Sequence, residues 1–306
     1  MEFRGKAALA FGGVLLLAAC SSGGSGDGGE AAPTASSASS GPADFGAALK
    51  DALDPISTEL GKAGAAKDVY GASTAIELVG SRAARANRNL KAAAAPPSAE
   101  AARTELVTAL DVLDTEATAI SADYRDRKIC TKGAAQARLG GGKGLAGVTA
   151  TLAKLKAAGF PAAFTVPKLP ELPSTPRALD NGTLVRDGGN DGDGTVKVKN
   201  QYDTDVVFMV VVGDETLSSV YVAKGQEASI EGIKDGSYAF YYLSGQDWDS
   251  GEKMFSQDCK SVRFEGKHEF KPTGTTWTIT LNPKAGGQGG DPATTKWQNV
   301  STAPQA

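Results

Sequence analysis

Histidine is almost missing: His268 is the only one in 306 residues. A zinc site built on two or three imidazoles, or a proton relay that needs more than one, is excluded by count. Cysteine is nearly as scarce. Cys20, Cys130 and Cys259 cannot by themselves make a four-cysteine zinc site or hold an iron–sulfur cluster. Charge of one sign is lacking too, with 32 Lys and Arg against 35 Asp and Glu and a net charge of −3. A balance this even does not hold a polyanion by charge, so nucleic acid is not an expected partner. Long apolar runs are also absent. The run from Ala7 to Leu17 rises about 16 Å as a helix, half of the roughly 30 Å that a membrane core demands.

That short run is informative all the same. Arg4 and Lys6 precede it and Leu17-Ala18-Ala19-Cys20 closes it, the layout of a secretory signal peptide. Small residues directly before a cysteine resemble the lipobox of bacterial lipoproteins. The resemblance implies that residues 1–19 are removed and that Cys20 carries a diacylglycerol thioether, with acyl chains such as palmitate. It also implies a lipid anchor in the cell membrane, on its extracytoplasmic face. Two acyl chains hold durably where one is marginal. The alternative is a plain signal peptide in which Cys20 is incidental. Residues 20–43 are nearly all Ser, Gly, Ala, Pro and Thr, and so poor in apolar side chains that they are expected to be a disordered tether reaching on the order of 25 Å.

Alanine dominates residues 44–158, and apolar positions recur at three and four. Leu106, Leu110, Leu113, Ala117, Ile120 and Tyr124 form the seam of a helix packed on helices. Ser98 reads as its N-cap, with Glu100 in the first turn. Phe45, Leu49, Ala52, Ile56, Leu60 and Ala63 mark an earlier helix, kinked or restarted at Pro55, and Ile76, Val79, Ala83, Ala86 and Leu90 mark a second. Another follows Gly140-Gly141-Gly142, with Leu145, Val148, Leu152 and Leu155 inward and Gly159 as its stop. Four amphipathic helices joined by short breaks predict an antiparallel bundle, and the inward alanines predict close packing. Gly142-Lys143 looks like the end of a phosphate-binding loop, but Gly144 stands where that loop needs Ser or Thr. The run Arg125, Asp126, Arg127, Lys128 reads as a docking patch or, more simply, as a solvated face.

Five prolines between Pro161 and Pro176 predict an extended spacer over residues 159–194, ending in an acidic, glycine-rich turn. Beyond it the period changes to two. Val196 and Val198; Val206, Phe208, Val210 and Val212; Tyr238, Phe240 and Tyr242; and Trp277, Ile279 and Leu281 each alternate along a short strand, with turn residues between. The pattern predicts an antiparallel β-sandwich over residues 195–283. The fold class is therefore α+β in two domains, a helical bundle (44–158) followed by the sandwich. A tail from 284 to 306, rich in Gly, Thr and Pro, is expected to be disordered. Residues 44–158 carry a net charge of +3 and residues 187–306 a net charge of −6, opposite signs that favour docking of one on the other.

A second resemblance lies in the strand half. Val220-Tyr221-Val222, Gly225 and the run Ile230-Glu231-Gly232-Ile233-Lys234-Asp235-Gly236-Ser237-Tyr238 resemble transthyretin-like or carboxypeptidase-regulatory-like sandwiches. Asp247-Trp248-Asp249 and the closing Trp277-Thr278-Ile279-Thr280-Leu281-Asn282-Pro283 look like a small β-domain found at the C-termini of bacterial extracytoplasmic proteins. The resemblance covers residues 194–290 and implies a non-catalytic module; fold alone does not name a function.

Few residues carry chemistry. Asp187, Asp191 and Asp193 alternate with glycine as in a calcium loop, yet counted from Asp187 the third position is Gly189 and the twelfth is Val198, where an EF-hand needs a ligand and a Glu. A plain turn is the simpler reading. Trp248, between Asp247 and Asp249, is expected in a loop, where its ring either stacks on a sugar or peptide or caps a sheet edge. His268, between Lys267 and Glu269, is expected at the surface. With Cys20 acylated, Cys130 and Cys259 remain. In an oxidising compartment that even number suggests one disulfide joining the two halves, with two buried thiols or a bridge between chains as alternatives.

No cofactor is expected. The residues together predict a non-enzymatic, lipid-anchored protein that binds an envelope protein or cell-wall polymer, or has a structural role. One rival is an envelope hydrolase using Ser with Lys or paired carboxylates; no Gly-x-Ser-x-Gly elbow and no Ser-x-x-Lys with a partner motif supports it. The other is a solute-binding lipoprotein of a transporter, for which βαβ alternation is wanting.

Overall fold

The computed structural model of the protein describes residues 41–188, 191–282, 297–299 and 304–306, so the expected signal peptide, Cys20 and nearly all of the expected tether lie outside the described residues. Ser39–Ala306 cluster as one compact unit of mixed α and β structure.

Five helices come first: α1 (Pro42–Gly64), α2 (Val69–Ala92), α3 (Glu100–Arg125), α4 (Lys132–Gly140) and α5 (Lys143–Ala157). The expected seams face inward. Phe45, Leu49, Ile56 and Leu60 of α1, Ile76 and Val79 of α2, Leu106, Leu110 and Leu113 of α3, and Leu145 and Val148 of α5 share one hydrophobic cluster. Pro55 neither ends nor restarts α1. Leu53, Ile56 and Leu60 are fully buried around it, and their packing carries the helix past the hydrogen bond that proline cannot donate. The N-cap of α3 is Ala99 rather than Ser98, because a turn closed by the Ala99 amide on the Pro96 carbonyl (2.8 Å) takes up Ser98.

Close approach is confirmed where α5 crosses α3. A Cβ on Gly144 would lie 2.4 Å from the Leu113 amide nitrogen, and one on Gly147 would lie 3.1 Å from the Ala109 Cβ. Gly159 ends α5 in the left-handed region, φ 92°. Its amide bonds to the Lys156 carbonyl and that of Phe160 to the Leu155 carbonyl, the double closure that glycine permits at this place.

The proline-rich segment does not stand free as a spacer. Phe160 meets Phe45 edge to face at 5.4 Å, the Thr165 amide donates to Ser57 Oγ, and Phe164 and Leu169 pack on the helical core. The chain then joins the strands. β1 (Leu184–Arg186), β3 (Asp205–Val212), β4 (Glu215–Val222), β6 (Gly236–Asp249), β7 (Met254–Phe264) and β10 (Trp297–Asn299) form a sheet in the order β1-β4-β3-β6-β7-β10, with β8 (His268–Phe270) also paired to β6. β5 (Glu227–Ile233), β2 (Gly194–Asn200) and β9 (Thr276–Leu281) form a second sheet in the order β5-β2-β9. The pairing of β2 with β9 is parallel, so the strands are not uniformly antiparallel.

β3 is buried on both faces. Val206, Phe208 and Val210 share a cluster with residues of the second sheet, while Val207, Met209 and Val211 pack on the opposite side with Leu179, Val185, Trp248 and Ala306. Val212, grouped with the inward set by alternation, lies at the strand end and is 48% exposed. The tail is not wholly without order, since residues 297–299 pair with β7 and Ala306 is buried.

Candidate functional site

Among the described residues, α3, α4 and β7 meet at a seam joined by a disulfide and by backbone hydrogen bonds. α3 ends at Arg125, and Arg127 takes a left-handed conformation, φ 59°, that turns the chain outward. Residues 127–130 then run antiparallel to β7: the Cys130 amide donates to the Ser256 carbonyl (2.9 Å), the Cys259 amide to the Arg127 carbonyl (3.0 Å). That pairing brings the two cysteines together, and Cys130 and Cys259 are disulfide-bonded with Cα atoms 6.3 Å apart.

α4 starts from this segment. Thr131 caps it, accepting from the Ala134 amide, and the first turn holds no acid of its own. Glu252 supplies one from the turn between β6 and β7: its carboxylate accepts from the amides of Lys132 (3.4 Å) and Gly133 (3.3 Å), where it also meets the positive end of the helix dipole. α5 is served the same way by Glu116, which accepts from the Lys143 and Gly144 amides at 2.9 Å. The glycine–lysine sequence that looks like a phosphate loop thus holds a carboxylate of α3. Neither glutamate was singled out by spacing, because each acts across 27 or more residues.

Between these elements lies a cavity of about 440 Å³, lined by Val69, Ile129, Leu243, Met254, the disulfide and residues 304–306, with Arg125, Glu252 and Lys253 also on its wall. Its size is that of a small-ligand pocket.

Asp247, Trp248 and Asp249 sit nearby but do not form a recognition surface. All three belong to β6, continued past a register shift between Ser244 and Gln246, and Trp248 is only 2% exposed, packed edge-on against Tyr221 and Phe255. A ring so enclosed cannot stack on a sugar. Asp247 takes φ 58° and receives Arg177 bidentately, Nε at 2.8 Å and Nη2 at 2.7 Å, together with the Ser256 hydroxyl. Burial opposes its charge, yet the hydrogen bonds from Arg177 and Ser256 outweigh it and lower the carboxyl to about 2. Asp249 accepts from the Gly251 and Glu252 amides, shaping the turn that presents Glu252 to α4.

His268 is buried, not at the surface, at 4% exposure. Its ring stacks on Phe240 at 4.0 Å and meets Trp277 edge-on at 4.9 Å, and burial lowers its pKa. Residues 189 and 190 of the Asp187, Asp191 and Asp193 turn lie outside the described residues. Asp191 pairs with Lys234 at 3.0 Å, and among the described residues no group of three or more His, Cys, Asp or Glu side chains could hold a metal ion. Lys128 of the charged run pairs with Asp123 and Asp126. Cys20 lies outside the described residues, and among those described no helix is long and apolar enough to cross a membrane. No family model, no curated protein and no solved structure matches the chain.

Proposed function

We propose that the chain is a non-enzymatic lipoprotein, anchored through Cys20 to the extracytoplasmic face of the cell membrane, whose helical bundle and β-sandwich serve as a binding or structural module for an envelope protein or cell-wall polymer. The observation that carries this reading is the bond between Cys130 and Cys259, which ties the helical half to the strand half across 129 residues of sequence. Such bonds persist in oxidising compartments and are rare where thiols are kept reduced. That agrees with the address implied by Leu17-Ala18-Ala19-Cys20.

The non-enzymatic part draws support from the chemistry of the buried polar groups. A carboxyl at about 2 is too acidic to accept a proton near neutral pH, so Asp247 is a poor general base for the Ser256 hydroxyl beside it. Ser256 is itself fully buried, and the single imidazole lies beneath aromatic rings.

The test is metabolic labelling with an alkyne palmitate in a bacterial host, followed by detergent phase partition. The parent chain is expected to take up label and enter the detergent phase, and Cys20→Ala to do neither. Label retained by Cys20→Ala, or absent from both, removes the anchor and with it the location.

A further inference from the structure

β7 presents an edge along which two separate stretches of chain lie. Residues 127–130 cover Ser256, Asp258 and Cys259 and are fixed there by the disulfide. β10 covers the stretch beyond, Trp297 opposite Phe264 and Asn299 opposite Val262. Farther on, Ala306 is 1% exposed and packs with Val207, Met209, Leu243 and Phe255, while Pro304 and Gln305 line the cavity beside the disulfide. The second stretch has no covalent lock. The fourteen residues from 283 to 296 that join it to the body include four glycines and no apolar side chain larger than proline.

Two features make this more than a docked tail. Strand edges recognise extended peptides through main-chain hydrogen bonds, with neighbouring pockets selecting side chains. The tail also underfills its seat, for about 440 Å³ stays open against Val69, Ile129, Leu243 and Met254 with Pro304, Gln305 and Ala306 in place. A peptide with the same backbone course and a bulkier apolar group would make contacts that the tail leaves unmade.

We propose that the β7 edge at Val262–Phe264 and the adjoining cavity form a binding site for an extended peptide without charged side chains, held closed by the chain's own residues 297–299 and 304–306. Trp297 to Ala306 contain no charged side chain, and the near-complete enclosure of Ala306 admits only a small residue at that place. The inference rests on the reading of the chain as a binding module, but its test needs no acyl anchor, so either can fail without the other.

The experiment uses a fluorescein-labelled peptide of residues 297–306 and follows anisotropy on titration with the purified chain and with a variant ending at Lys296. The peptide is expected to bind the shortened chain saturably and the parent at least tenfold more weakly, because the tethered tail competes. A peptide carrying Ala306→Lys should lose at least tenfold. The proposal is overturned if a shortened chain that keeps the parent's circular dichroism and disulfide binds no peptide, if both chains bind equally, or if the two peptides bind alike. Should shortening unfold the chain, full-length Ala306→Lys replaces it. That variant, unable to seat its own tail, must then bind the unmodified peptide, and its failure to do so overturns the proposal equally.

Discussion

Arg177 and Asp247 meet side by side, Nε to Oδ1 at 2.8 Å and Nη2 to Oδ2 at 2.7 Å, and the Arg177 amide donates to the same carboxylate at 2.9 Å. Arg177 follows the last proline of the linker, and its carbonyl accepts from the Trp248 amide. The pair therefore pins the start of the strand half onto β6, and through Ser256 it reaches β7 one residue from the Phe255 ring that packs on Trp248.

The charge of Asp247 should show in acid stability. Its folded pKa of about 2 lies below the usual 3.8 of an aspartate carboxyl, so its contribution is present above pH 4 and is lost as pH falls toward 2. Linkage makes that about 2 kcal/mol. Urea denaturation from pH 5 to pH 2 should show Asp247→Asn with a shallower loss than the parent and lower stability at pH 7. Parallel curves would mean that the carboxylate is not held by Arg177.

Reduction should loosen the seam. The bridge closes a loop spanning 129 residues, which the loop-entropy model values at about 5 kcal/mol, with measured effects commonly 2–5. The Cys130→Ser, Cys259→Ser double variant should therefore melt well below the parent. The parent in dithiothreitol should approach the variant, whereas the variant should not respond to dithiothreitol. A parent whose melting is unchanged by reductant would argue that the backbone pairing of 127–130 with β7 holds the seam unaided.

His268 should give a separate pH response. Burial lowers its folded pKa beneath the 6.5 of an exposed imidazole, so the unfolded chain takes up the proton first as pH falls. Stability is full above pH 6.5 and declines below it until the folded pKa is passed. Phe240 stacks on the ring and the edge of Trp277 meets it, and a hydrogen bond to the Tyr238 backbone offsets the effect of burial only in part. His268→Phe should flatten thermal stability between pH 7 and pH 5 without lowering it at pH 7.5. A slope that survives the substitution would assign the response to another group.

The helical seams and the alternation of β3 were legible in the sequence because both arise from neighbours along the chain. Parity alone pointed to Cys130 and Cys259. What was missed is long-range. α4 has only Leu139 as a large apolar residue, and its start depends on Glu252, more than a hundred residues away. Trp248 reads as a loop residue because Gly245 and two aspartates surround it, yet the strand continues through a register shift and a left-handed Asp247. His268 lies between two charged residues, and its buried surroundings come from β6 and β9. The peptide site proposed on β7 had no signal at all, since its parts come from both ends of the strand half and from α3.

Gly144 offers the sharpest test of the helix packing. In an exposed helix, Gly→Ala stabilises by about 1 kcal/mol, since alanine forfeits less backbone freedom. Here the added methyl would stand 2.4 Å from the Leu113 amide nitrogen and 2.5 Å from its Cα, backbone atoms of α3 that cannot rotate aside. α5 would have to shift, stretching the Glu116 bonds to the Lys143 and Gly144 amides. Overpacking of this kind typically costs 1–3 kcal/mol, roughly, and outweighs the propensity gain. Gly144→Ala should therefore lower the denaturation midpoint, whereas Gly61→Ala, with nothing within 4 Å of its added Cβ, should raise it or leave it unchanged. Opposite signs for the same substitution in two helices of one chain would separate crossing distance from propensity. Equal signs would place α5 farther from α3 than the structure has it.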